Sequence, residues 1–383
     1  MPSARSSRAT SESSMPSAAE FVESLSPWPK DGFGLDRIKT LLTRLGDPQL
    51  RYPSIHIVGT NGKSTVTRTT EALLAGAGLA VGAYLSPHVR GWGERIRVRG
   101  GETDFDAAIE RVRAEAEVLE ATQFEVLTAA ALAEFAEAGV DVAVVEAGLG
   151  GRHDATNVLR SPVQVLTNVA LEHTEVLGAT REAIAAEKLA VVQPGAVVVL
   201  GEPEWEVVAR ENGAGQVVVA GNSNLALAMA AAEAFLGRSV DGHVDVQLPG
   251  RLERLSEDPL EIWDGAHNLA GLGYALPRLP GVRYVVVASI LADKEVDGML
   301  AALSVLGDRF VATSSTNERA LPAAELARRA EPFFTQVEPI ENSADALAHA
   351  RALGEPVLVT GSLYLLADLA KDESLRWRTL ATG

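Results

Sequence analysis

Between residues 55 and 65 the chain runs Ile55-His56-Ile57-Val58-Gly59-Thr60-Asn61-Gly62-Lys63-Ser64-Thr65. A short apolar run ends in a turn with two glycines, and Lys-Ser-Thr opens a helical pattern. Glycines let backbone N–H groups approach an anion closely, and a helix N-terminus favours negative charge. Lys63 can reach terminal phosphates, and a hydroxyl at Ser64 or Thr65 can hold Mg²⁺. A strict Walker loop has Gly where Ile57 stands, so this is a shortened variant. The plain alternative is a tight strand-to-helix turn with a chance lysine. The strand before and the helix after favour phosphate binding.

Other reactive residue types follow in clusters. Ser86-Pro87-His88 precedes Glu94-Arg95-Ile96, and Phe124-Glu125-Val126-Leu127-Thr128 opens a helical stretch. Val144-Val145-Glu146-Ala147-Gly148-Leu149-Gly150-Gly151-Arg152-His153-Asp154-Ala155-Thr156-Asn157 begins as a buried strand. It delivers Glu146 to the strand's C-terminal end, the edge where open α/β sheets bind ligands. A carboxylate there can hold a hard cation beside phosphates. Further on stand Glu172-His173, Glu187-Lys188, Pro249-Gly250-Arg251, Asp264-Gly265-Ala266-His267-Asn268 and Asp293-Lys294.

The elements that must position these groups are legible as alternation. Ile55–Val58, Ala80–Tyr84, Val142–Glu146, Val163–Asn168 and Ala196–Leu200 read as buried strands. Thr65–Ala77, Asp106–Ala121, Glu125–Ala138 and Arg181–Val192 read as the helices among them. The fold class is α/β, a P-loop domain with a mostly parallel sheet covered on both faces. After a helix at Ser223–Leu236, Val244–Gly250 reads as a linker. A smaller Rossmann-like α/β domain follows, with strands at Leu260–Trp263, Tyr284–Ala288, Phe310–Thr313 and Pro356–Thr360. The predicted division is a disordered tail over 1–18, a P-loop nucleotide-binding domain over 19–247 and the smaller α/β domain over 248–383. Met1-Pro2-Ser3-Ala4 recurs as Met15-Pro16-Ser17-Ala18, so either Met15 is the start or the repeat is chance.

Composition narrows the function. The 383 residues are 47% hydrophobic and 22% charged, enough to bury proper cores. A net charge of −17 repels nucleic acid and anionic membranes, though local N–H groups, Lys and metal still permit ATP. With no Cys, disulfides, thiolate catalysis and Cys-bound zinc are excluded. No apolar run is long enough to span a bilayer.

Taken together, these motifs resemble the folylpolyglutamate synthase/dihydrofolate synthase family of the Mur ligase superfamily. Gly59–Thr65 looks like its Gly-Thr-Asn-Gly-Lys signature. Ser86–His88 with Glu94–Ile96, Glu146–Asn157, Glu172–Gly178, Glu187-Lys188, Pro249–Glu253 and Asp264–Asn268 match its later segments, and similarity runs from about Phe21 to Leu369. Gly93, His153, Glu172 and Leu269 depart from the usual Asn, Leu, Asp and Pro. The segment before Asn224 is shorter than in the family.

The resemblance implies an ATP-dependent carboxylate–amine ligase that adds L-glutamate to dihydropteroate and/or tetrahydrofolate through an acyl phosphate. It implies ATP contacts from Gly59, Thr60, Asn61, Gly62, Lys63, Ser64, Thr65, Asn224, Arg251 and Asp264, the last at the ribose hydroxyls. Two Mg²⁺ ions would be held by Thr65, Ser86, Glu146, His173 and a carbamylated Lys188. Lys63, Lys188 and His267 would be catalytic. His88, Phe124 and Asp154 would meet the pterin-bearing acid, although Phe124 equally suits packing of its own helix. The expected enzyme is a cytoplasmic monomer, with no nucleic-acid or membrane partner. Two rivals stand beside it. A muramyl-peptide ligase needs an extra N-terminal domain, and only 58 residues precede Gly59. A nucleotide-binding regulator without turnover would not need Lys63, Glu146, His173 and Lys188 together.

Overall fold

The computed structural model describes residues 16–30 and 32–381, with backbone alone over 373–381. The predicted tail lies mostly outside the described residues. Its last part is ordered, because Ser17 caps the helix Ala18–Ser24 in a reciprocal capping box with Glu20.

Two sheets organise the chain. The first contains β1 (Ser54–Val58), β2 (Val81–Tyr84), β3 (Ile96–Val98), β4 (Gly101–Glu102), β5 (Val142–Glu146), β6 (Val163–Leu166), β7 (Val197–Leu200) and β8 (Gln216–Val219). Their order is β4-β3-β2-β5-β1-β6-β7-β8. Every pairing is parallel except β2–β3 and β3–β4. The second contains β9 (Glu253–Glu257), β10 (Leu260–Trp263), β11 (Val285–Ala288), β12 (Arg309–Ala312), β13 (Gln336–Pro339) and β14 (Val357–Thr360). Its order is β13-β12-β11-β14-β10-β9, antiparallel only at β9.

The central strands are Val- and Ile-rich and buried along their whole length, as parallel strands covered on both faces must be. The helix Lys63–Gly76 packs on Asn224–Leu236 over one face, burying Val66, Leu73, Leu74, Leu227 and Ala231. On the other face, Gln123–Glu137 packs through Leu127, Ala130 and Phe135. β3, β4, β8, β9 and β13 go beyond the sequence reading. Each lies at or near a sheet edge, with polar or exposed positions that weaken an apolar-run signal. Among the described residues no helix is long and apolar enough to cross a membrane.

Gly82 lets β2 approach Gln123–Glu137. A Cβ there would stand 2.6–2.9 Å from the buried Phe135 ring. Gly82→Ala is therefore expected to cost about 1–3 kcal/mol by overpacking. A urea titration showing an unchanged midpoint would contradict this packing.

Candidate active site at the strand ends of the first sheet

The loop after β1 is shaped by its glycines and by the neighbouring strand. Gly59 has φ +150° and Gly62 has φ +82°. A Cβ on Gly59 would overlap the Thr167 hydroxyl, so the two chains approach as only glycine permits. Thr167 and Asn168, just past β6, splint the loop. Thr167 Oγ1 donates to Asn61 O at 2.7 Å, Thr60 N donates to Asn168 O at 2.9 Å, and Asn61 N donates to Asn168 Oδ1 at 3.0 Å. The helix starting at Lys63 thus presents its N-terminus to a fixed turn. Lys63 Nζ donates to Thr60 O at 3.2 Å.

Glu146 ends β5 beside this turn and is 1% exposed. It accepts from Ser64 Oγ at 3.1 Å and from Ser86 N at 3.2 Å. Burial raises its pKa, while Lys63, the Ser86 and Ser64 bonds and Arg251 oppose that rise. Of the two hydroxyls considered for a metal, Ser64 is the one bonded to Glu146. Thr65, the other candidate ligand, is the next residue of the same helix, about a quarter of a turn further round. Among the described residues no three His, Cys, Asp or Glu side chains gather as a protein-only metal site. The donors present suit Mg²⁺ nonetheless. A buried carboxylate and a hydroxyl supply hard oxygens, and Mg²⁺ takes its other ligands from phosphate and water.

Lys188 lies 129 residues from Gly59 in sequence and against it in space. Its Nζ donates to Gly59 O at 2.8 Å, and the residue is 4% exposed. Burial first and Lys63 second pull its pKa down to about 7, against the pull of Glu172 and Asp154. Gly59, Thr60, Lys63, Gly148, Leu149, Gly150, Glu172, His173 and Lys188 line one cavity. His173 adopts φ +51° at the start of Thr174–Leu177, and burial lowers its pKa. Ser64, Pro87 and Arg251 line a neighbouring cleft.

The second sheet closes this edge. His267 follows β10, and its Nδ1 donates to Gly265 O at 2.9 Å. Its Nε2 lies 3.1 Å from Glu172 Oε1, and Lys294 Nζ meets the same oxygen at 3.0 Å. Asn268 Nδ2 donates to Asn61 Oδ1 at 3.2 Å. Asn224 stands against Gly62, and its Nδ2 donates to the Tyr274 hydroxyl at 3.4 Å. The Glu172–Lys294 pairing and Tyr274 were missed in the sequence. Lys294 was visible in the Asp293-Lys294 turn, but nothing local tells that it reaches Glu172.

The residues expected to meet the acid or the ribose are engaged within the fold. Asp154 is buried, with Oδ2 accepting from Leu149 N and Oδ1 from Thr156 N and Oγ1. These bonds brace its own loop. Asp264 likewise accepts from Leu252 N at 2.9 Å and Ala266 N at 3.0 Å, and so pins the segment carrying Arg251. His88 accepts from Arg95 Nε at 2.9 Å and packs on Trp92 at 4.4 Å, with burial holding its pKa down to about 3. Phe124 is partly buried against Tyr84 and Gly148.

Comparison with known proteins accords with this arrangement. Residues 57–251 match the Mur ligase middle domain, and residues 250–363 match the Mur ligase glutamate ligase domain. The dihydrofolate synthase/folylpolyglutamate synthase of Mycobacterium tuberculosis is 34% identical, over 85% of this chain and 84% of its own. The chain belongs to the folylpolyglutamate synthase/dihydrofolate synthase family. Its class is that of ATP-dependent acid–amino-acid ligases. The structure of Escherichia coli FolC with DHPP and ADP is 31% identical, with a TM-score of 0.83 over 94% of this chain and 100% of that one. A bifunctional family member solved with Mn, AMPPNP and L-glutamate is 31% identical, with a TM-score of 0.83 over 94% and 98%.

The Glu172 cluster gives a pH-dependent prediction. Burial pushes the Glu172 carboxyl up, but His267 and Lys294 outweigh it and hold the pKa well below 4.5. A depressed folded pKa stabilises above the unfolded value and is lost as pH falls through the folded one. Glu172→Gln should cost about 2 kcal/mol at neutral pH, the scale of hydrogen bonds to charged groups. That deficit should hold down to about pH 5 and shrink below it. Calorimetry of both proteins from pH 7 to 3 measures it, and a deficit that grows toward acid would contradict the assignment.

Proposed function

We propose that this ligase joins L-glutamate to the carboxylate of dihydropteroate and of reduced folates, with ATP cleaved to ADP and phosphate through an acyl phosphate. The observation that carries the reading is the meeting of Lys63, Glu146, His173 and Lys188 around one glycine turn, closed by His267 and Asn268 from the second sheet.

In this reading the N–H groups of the turn and Lys63 bind the β- and γ-phosphates and neutralise charge as the acid's carboxylate oxygen attacks the γ-phosphorus. ADP leaves. The glutamate amine then attacks the acyl carbon, phosphate departs, and the surplus ammonium protons pass to solvent. A divalent cation supplies charge neutralisation of the phosphates when bound. Glu146 and Ser64 would hold one such ion, with Ser86 beside them. His173 and Lys188 would hold a second, Lys188 as a carbamate whose oxygens replace its amine. A pKa of about 7 leaves Lys188 partly neutral at physiological pH, which CO₂ addition requires. Asn224 and Arg251 would border the nucleotide, and His88 and Phe124 the acid. His267 carries the second half of the chain onto the phosphates and helps exclude water. We read residues 19–247 as the ATP-binding half and 248–383 as the ligase half. Both halves of the site come from one chain, which supports a monomer, and we place it in the cytoplasm.

Glutamate-dependent ADP release, measured with dihydropteroate and then with tetrahydrofolate, tests the reading. Release with either acid supports it, and release with both makes the enzyme bifunctional. Nucleotide binding without release would favour the regulatory alternative, for which the short segment before Asn224 speaks. Lys63→Ala should lower kcat by about 10²–10³-fold, the scale of losing one preorganised donor, with an unchanged circular dichroism spectrum. Near-normal turnover in that variant would remove the phosphate-loop assignment.

A further inference from the structure

The strand entering the phosphate loop carries an imidazole that the chemistry above leaves unused. His56 lies in the middle of β1, paired across to Val145 and Gln164, and is 1% exposed. Its chain neighbours Ile55, Ile57 and Val58 are apolar and fully buried. A valine or isoleucine would satisfy the strand there, whereas a polar ring must be hydrogen-bonded to be tolerated.

His56 Nε2 lies 2.7 Å from Thr156 Oγ1. Thr156 is wholly buried, and its hydroxyl donates to Asp154 Oδ1. A hydroxyl has one hydrogen, so its oxygen can only accept from the ring. His56 therefore carries its proton on Nε2 and donates. Asp154 gathers the rest: Thr156 N reaches Oδ1 at 3.0 Å and Leu149 N reaches Oδ2 at 2.7 Å. Burial lowers the His56 pKa to about 3, so the neutral ring persists throughout the working range.

We infer that His56 is a positioning residue for the acid-substrate side of the site, acting through Thr156 and Asp154 to fix the backbone of Gly148–Gly151. The inference rests on the function proposed above for its substrate, though not for its geometry. That backbone has no slack. A Cβ on Gly148 would stand 2.5 Å from the Phe124 ring, and one on Gly151 would stand 2.5 Å from Lys188 O. The Phe124 ring thus packs directly over Gly148, and the backbone of Lys188 over Gly151. The relay joins the centre of the sheet to a loop 100 residues away in sequence.

Two substitutions separate positioning from packing. His56→Val fills the strand but cannot donate, whereas Gln in place of His56 carries an Nε2 donor. His56→Val is expected to raise KM for dihydropteroate on the order of tenfold, the scale of one buried hydrogen bond left unmade. KM for ATP should change less than about twofold, and His56→Gln should recover most of the loss. Thr156→Val breaks the same relay at its next member and should reproduce the pattern, which covers the case of a His56→Val protein that fails to fold. Amide hydrogen exchange reads the geometry without turnover: Leu149 and Thr156 should exchange faster in the Val variants and normally in the Gln variant. Folded Val variants with unchanged KM for the acid and unchanged exchange at Leu149 would overturn the inference. An equal rise in both KM values would also overturn it. If the wild-type enzyme does not turn over dihydropteroate, the functional reading fails by itself, and the exchange experiment still decides on the relay.

Discussion

A lysine amine buried at 4% exposure and held 2.8 Å from the carbonyl of Gly59 is the contact around which the site is arranged. An ammonium ion in that position costs several kcal/mol of hydration unless it is compensated. Lys63 makes the burden heavier, and Glu172 and Asp154 relieve only part of it. Burial thus lowers the pKa of this amine, which packs under the glycine turn. The glycines follow from this. Gly59 must pass the Thr167 hydroxyl while offering its carbonyl, and Gly151 must lie on the backbone of Lys188. Both close approaches leave no room for a side chain.

The second constraint is that neither sheet completes the site by itself. Glu172, beside His173, spends one carboxylate oxygen on two side chains from the far half, His267 and Lys294. Asn268 reaches Asn61 in the phosphate loop, and Arg90 pairs with Glu253 across the same boundary. Asp264 holds Leu252 and Ala266, which fixes the segment that carries Arg251 into the cleft. Charged and polar contacts of this kind fit a boundary that opens and closes with a ligand, because they are directional and exchange readily with water.

Much of this was legible in the sequence for specific reasons. The run from Ile55 to Thr65 joins a buried strand, two glycines and a helix start, and each of the three has its own local signal. Val142–Glu146 is apolar up to its final carboxylate, so the position of Glu146 at a strand end could be read directly. What could not be read was pairing at a distance. Nothing near Asp154 tells that Leu149 and Thr156 already occupy its oxygens, and Ser64 and Thr65 are equivalent until the helix phase is known. The meeting of Glu172 with Lys294 depends on how two sheets dock, which leaves no periodic trace in either segment. The edge strands β4, β9 and β13 were invisible for another reason, since their exposed positions dilute the apolar pattern.

We propose that burial makes Lys188 a reactive neutral amine rather than a structural cation. Carbon NMR of the wild-type protein in labelled bicarbonate, with Lys188→Ala as control, tests it most directly. The account predicts a carbamate resonance in the active wild-type enzyme that disappears in the control. Full glutamate-dependent turnover in an enzyme with no such resonance would contradict it.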